Sequence, residues 1–153
     1  MNIGLLGGIL LDALFTCVLV LCSYQDMKTR SVSNALVAAL LIFGVIHTIQ
    51  GFYSDHGWWV PLAGMTLSLP FFWGWWRNAI GAGDVKLIMG ISLYLGLWQA
   101  LISFALMLPL LMIIMCWNLY KHRSANVRIP FAPVLSFGAI GSLIIPYVMS
   151  IHF

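Results

Sequence analysis

The chain has 153 residues, 62% of them apolar and 7% charged, with a mean hydropathy of +1.01. Soluble domains carry roughly 25% Asp, Glu, Lys and Arg, whereas here the whole complement is seven cations and four aspartates, too few to clothe a water-exposed surface. Disorder is excluded by the same figures, because unfolded chains are polar and charged. The composition predicts an all-α membrane protein, since transmembrane β-strands alternate apolar and polar residues over about ten positions and this sequence has long unbroken apolar runs. A helix needs about 20 residues to cross the hydrocarbon, which leaves room for a polytopic bundle of about six transmembrane helices in one domain, residues 1–153. The net charge of +3 is small and dispersed, so nucleic acid is not an expected partner, while membrane lipid is.

The first apolar run covers residues 3–22 and is interrupted only by Asp12. It lacks the basic flank of a secretion signal, and Gly4 and Gly8 within it have the spacing of close helix packing. Residues 23–34 (SYQDMKTRSVSN) read as a polar loop holding Asp26, Lys28 and Arg30. A second span is expected over 35–52, closed by a turn at 53–57 with Asp55 and His56. Two Trp pairs, Trp58-Trp59 and Trp75-Trp76, bracket the third. Their offset corresponds to about 25 Å of helix, the separation of two interfacial aromatic belts. After Arg77 comes GAGDVK at 81–86, entering a short apolar run that ends near Gly96. A fifth span follows at 98–120, then the basic stretch KHRSANVRIP at 121–130 and a last span at 131–150. If connectors alternate sides, every Lys and Arg falls on one face. The positive-inside rule makes that face cytoplasmic and puts both termini on the non-cytoplasmic side.

Four aspartates in so apolar a chain need separate explanations. Asp55 suits plain turn chemistry. Asp12, near the middle of the first span, is expected to face the bundle interior and take a hydrogen-bond partner from a neighbouring helix. Asp26 and Asp84 differ, because both sit where a helix meets the basic face, and each precedes a lysine by two positions (Lys28 and Lys86). Two carboxyl groups from different helices around one water are the minimal machinery of an aspartic protease. The pair holds one proton, one member taking a proton from water while the other protonates the carbonyl oxygen. Lys28 and Lys86 are expected either to keep one carboxylate ionised or to bind lipid phosphate. Gly81 and Gly83 permit close approach of another chain. Gly-x-Gly-Asp alone is a weak signal, equally at home in a permissive loop, and no P-loop ending follows it. His47, His56, His122 and His152 are scattered, and Cys17, Cys22 and Cys116 lack zinc or disulfide spacing and read as buried thiols. No metal or cofactor is expected.

In combination these features resemble the type IV prepilin peptidases, intramembrane proteases of the Gly-x-Gly-Asp type. The family's first motif, Asp-x-(Lys/Arg)-x-Arg-x-(Ile/Val)-x-Asn, is matched by Asp26, Lys28, Arg30, Val32 and Asn34. The second is matched by Gly81, Gly83, Asp84, Lys86 and Leu87, and Ile129-Pro130-Phe131-Ala132-Pro133 with Gly138 looks like the family's entry to its last helix. Ser33 stands where the family often has Pro, and no Cys-x-x-Cys domain is present, so the resemblance is to the short, peptidase-only form. It implies removal of a basic leader from prepilin, pseudopilin or Flp-type substrates, each with an apolar helix after the leader, at the cytoplasmic face of the bacterial inner membrane. Asp26 and Asp84 would be catalytic, and Gly81, Gly83, Lys28, Arg30, Asn34 and Lys86 would flank the site. The rival is a non-enzymatic small transporter or envelope assembly factor with Asp12 and Asp84 as proton or ion sites.

Overall fold

A peptide group inside hydrocarbon has no water to bond, so an apolar chain of this kind pairs its backbone within each segment and folds as helices. The computed structural model describes residues 3–53, 59–78, 80–122 and 131–151, and all regular structure among them is helical. The elements are α1 (Ile3–Thr29), α2 (Asn34–Tyr53), α3 (Trp59–Thr66), α4 (Leu69–Trp76), α5 (Ala82–His122) and α6 (Phe131–Ile151). Three helices, over Gly7–Thr29, Asn34–Phe52 and Ala82–Trp117, are long and apolar enough to cross a membrane.

Helix α1 runs seven residues beyond the expected end at Cys22, and the polar stretch that reads as a loop is mostly its last two turns. The polar side chains there are used locally. Thr29 Oγ1 lies 2.9 Å from the Gln25 carbonyl, Gln25 Oε1 accepts from the Ser33 N–H at 3.1 Å, and Ser33 Oγ accepts from the Leu36 N–H at 3.4 Å. Ser33 thereby caps α2, which accounts for a serine where the family often has proline.

The third expected span is two short helices. Leu67 and Ser68 donate backward to Gly64 and Met65 at 3.0 Å, tightening the turn. Pro70, which has no N–H to continue the ladder, opens α4. Helix α5 is broken at Gly96, whose φ of 70° and ψ of −179° lie in a region open essentially to glycine alone. Asp84 on one limb of α5 and Met107 and Leu108 on the other line the same cavity, while Tyr94, Leu95 and Gln99 line another. The chain therefore doubles back at Gly96, and the turn expected near 96–98 is this one residue.

Helix α5 is central, packing on α2, α3 and α6, while α1 packs on α6 and α2. Phe15, Leu19, Leu40, Leu87, Ile88, Ile91, Tyr94 and Leu135 are fully buried between them. Close approach is made where a side chain is missing. A Cβ on Gly64 would come 2.5 Å from the Ser92 carbonyl, and one on Gly138 would overlap the Ser103 carbonyl. A Cβ on Gly8, by contrast, meets nothing within 4 Å among the described residues. Leu10, Ile42, Trp98 and Ile113 are among many large apolar side chains left on the outer surface, where lipid is the solvent. Only Cys22 is a buried thiol; Cys17 and Cys116 are on that surface.

Candidate active site

The carboxyl group of Asp26 sits one turn before the end of α1 and is 6% exposed. Its Oδ2 accepts a 3.0 Å hydrogen bond from the Ala132 N–H, in the first turn of α6. The opening N–H groups of a helix have no partner within it, so Asp26 satisfies one of them and is held by it. The Ser23 and Ser136 hydroxyls, 2.8 Å apart, tie the same two helices one turn further in. Ala132 belongs to the third of the motifs read from the sequence, and this bond gives that motif a structural reason.

Asp84 occupies the first turn of α5, half-buried, with its backbone N–H on the Gly81 carbonyl at 3.1 Å. Its Oδ2 folds back over Gly81, since a Cβ there would stand 3.1 Å from that oxygen. Asp26 and Asp84 line one cavity of about 870 Å³ and lie close enough for the charge of one to act on the other. Asp26 Oδ1 makes no hydrogen bond among the described residues, so it is the oxygen available to a water in that cavity. The rest of the lining is divided by chemistry. Arg30 and Asn78 add polar side chains to the two carboxyl groups, while Phe71, Trp75, Met107, Leu108 and Leu111 supply apolar surface from α4 and the second limb of α5.

The flanking residues divide as well. Lys28 is exposed and absent from the cavity lining, and Lys86 is exposed with its Nζ 3.4 Å from Asn34 Oδ1, joining α5 to the start of α2. Neither lysine lines the cavity; among the described residues the cation that does is Arg30. Gly81 lines the cavity, but Gly83 does not, and a Cβ there meets nothing within 4 Å. Asn78, Phe71 and Trp75 carry no motif signal and enter the site only through the fold. Asp55, His56, Arg123, Arg128, Ile129 and Pro130 lie outside the described residues.

Asp12 takes the partner its position calls for. Tyr94 donates to its Oδ1 at 2.5 Å, Phe15 stacks on the Tyr94 ring at 3.8 Å, and His47 lies 4.9 Å from that ring. Asp12, His47 and Tyr94, with Gln99, line a second cavity of about 220 Å³. Asp12 precedes Asp26 on α1 by about 21 Å of helix rise, so this cluster belongs to the other end of the bundle. The His47 contact had no signal in the sequence.

The chain matches the model of the type IV leader peptidase family over residues 13–117 of its 153 and belongs to that family. The matched region contains both Asp26 and Asp84. No match was found among curated proteins or among solved structures. The long apolar helices and the family together define a membrane protein with peptidase activity.

Proposed function

We propose that the chain is an intramembrane aspartic endopeptidase. Its reaction is removal of the basic leader from type IV prepilin or prepilin-like substrates, pseudopilins and Flp-type pilins included, at the cytoplasmic face of the bacterial inner membrane. The observation that carries this reading is the shared cavity: Asp26 of α1 and Asp84 of α5 face one space, inside the region that matches the family.

In this mechanism a water lies between the two carboxyl groups. The ionised member takes a proton from the water as its oxygen attacks the scissile carbonyl carbon, and the protonated member gives its proton to the carbonyl oxygen. The tetrahedral diol then collapses. The C–N bond breaks, the proton first taken from water passes to the leaving amine, and a hydroxyl of the diol returns its proton to the other carboxylate, so the pair regains its starting protonation. Water and two carboxyl groups complete the chemistry, and no cofactor is called for.

The bundle in this reading makes six passes: α1, α2, α3 with α4, the two limbs of α5, and α6. Both termini are outside and the carboxyl pair is at the inner boundary. Arg30 in the cavity and Lys28, Arg77 and Lys86 at neighbouring helix ends support that orientation through the positive-inside rule. The apolar wall of Phe71, Trp75, Leu108 and Leu111 suits a substrate whose apolar helix arrives through the bilayer. The transporter reading gains nothing from the geometry, as Asp12 and Asp84 line separate cavities.

A proteoliposome assay with a purified prepilin tests this. Asp26→Asn and Asp84→Asn are expected to abolish leader removal, while Asp12→Asn lowers the amount of folded protein and leaves turnover per folded molecule close to wild type. Full processing by a folded Asp26→Asn or Asp84→Asn protein refutes the carboxyl pair.

A further inference from the structure

Two residues other than glycine have left-handed backbone among the described residues: Arg30, with φ 52°, and Asn78, with φ 58°. Each follows a helix end. The Arg30 N–H bonds the Asp26 carbonyl at 2.8 Å after α1, and the Asn78 N–H bonds the Trp75 carbonyl at 2.8 Å after α4. Glycine is the usual occupant of such a position, because a Cβ is disfavoured there. Here Asn78 is the tolerated alternative to glycine and Arg30 is a disfavoured one, and the two, at the ends of unrelated helices, both line the cavity that holds Asp26 and Asp84. The strain retained at Arg30 is a reason to look for function there.

Neither side chain makes a hydrogen bond to a described residue. The contrast with the neighbouring Arg77 is instructive, since its guanidinium lies 3.9 Å over the Trp73 ring. A peptide bond can be attacked only where the substrate helix is unwound, and unwinding leaves main-chain N–H and C=O groups without partners. The apolar part of the cavity wall, Phe71, Trp75, Met107, Leu108 and Leu111, offers those groups nothing, so partners must come from its polar side chains. A carboxamide offers both a donor and an acceptor, the complement of a peptide group, and a guanidinium offers donors only, which suits a carbonyl.

We infer that Asn78 and Arg30 bind the unwound main chain of the substrate beside the scissile bond, Asn78 pairing with a peptide N–H and C=O and Arg30 donating to a carbonyl. The inference rests on the peptidase reading above. It makes these two side chains substrate-binding residues that act on any sequence presented in extended form.

Glycine is the informative replacement, because it keeps the left-handed backbone and removes only the side chain. Asn78→Gly and Arg30→Gly are expected to melt within about 3 °C of wild type and to lower kcat/KM for prepilin by about tenfold each, chiefly through KM. In an Asp84→Asn background, where the substrate stays intact, Asn78→Gly is expected to weaken binding of fluorescently labelled prepilin by about tenfold. If Asn78→Gly does not fold, Asn78→Asp decides by the same measurements, as it tolerates the backbone and lacks the amide donor. A folded Asn78 variant with wild-type kcat/KM and wild-type prepilin affinity overturns the inference. Asp84→Asn run alone separates the two levels. Inactivity of Asp84→Asn beside unimpaired Asn78→Gly removes only the main-chain contact, whereas cleavage by Asp84→Asn removes the peptidase assignment of the cavity.

Discussion

Gly81→Ala adds one methyl group at the mouth of the cavity. Gly81 is not in the left-handed region, so alanine brings no backbone strain. The new Cβ would stand 3.1 Å from Asp84 Oδ2 and 3.8 Å from its Cγ, with no other neighbour within 4 Å among the described residues. The first distance is short of ordinary contact, so the carboxyl group must shift by a few tenths of an ångström. Misplacing a catalytic group by about 1 Å costs about 100-fold in rate. On a logarithmic scale, a shift of about 0.3–0.5 Å costs about 4- to 10-fold, or about 0.8–1.4 kcal/mol of barrier. The loss is expected in kcat, with KM nearly unchanged and the melting temperature within about 3 °C of wild type. Initial rates of leader removal in proteoliposomes over a range of prepilin concentrations measure it. A wild-type kcat in Gly81→Ala, or a loss confined to KM, refutes the argument that this glycine makes room for the Asp84 carboxyl group.

Gly83→Ala meets no atom of the chain within 4 Å and improves helix propensity by up to about 1 kcal/mol. It is expected to raise the melting temperature slightly with KM close to wild type, because Gly83 does not line the cavity; a raised KM would show that the substrate uses the space beside it. Tyr94→Phe removes the 2.5 Å bond to Asp12 and is expected to cost about 1–3 kcal/mol of stability. The thermal midpoint should fall with kcat per folded molecule unchanged, and an altered kcat would show that the cluster reaches the catalytic cavity. Gly96→Ala forces a Cβ into a glycine-only backbone and to 3.0 Å from Val60 Cγ1, costing about 1–3 kcal/mol. Thermal unfolding of detergent-purified protein checks it, and an unchanged midpoint would mean the reversal between the α5 limbs does not depend on this residue.

Much of the site was legible because its chemistry is written in short strings. Asp26 and Asp84 stand out in a chain with four acidic residues, and their motif spacings survive any rotation of the helices that carry them. The same reading missed Asn78, Trp75 and His47, since a carboxamide, an indole or an imidazole in an apolar chain has several ordinary uses. It named Lys28, Arg30 and Lys86 together and could not say which of them reaches the cavity. Lys28 and Lys86 are the sequence neighbours of the two aspartates, yet of these three cations Arg30 is the one that lines their cavity, because the direction the backbone gives a side chain, and not distance along the chain, decides what it meets.

From sequence alone come the helical membrane character, the family motifs and the two carboxyl groups, each the result of composition or of spacing within a few residues. Tertiary structure decided that the third expected span breaks at Ser68, that α5 doubles back at Gly96, and that Asp26 is held by an N–H 106 residues away at Ala132. Those outcomes depend on how closely helices approach, which is set by missing side chains such as those of Gly64 and Gly138. They depend equally on where unpaired helix-end groups find partners. Both are properties of packed surfaces, and a surface exists only once segments far apart in the chain have met.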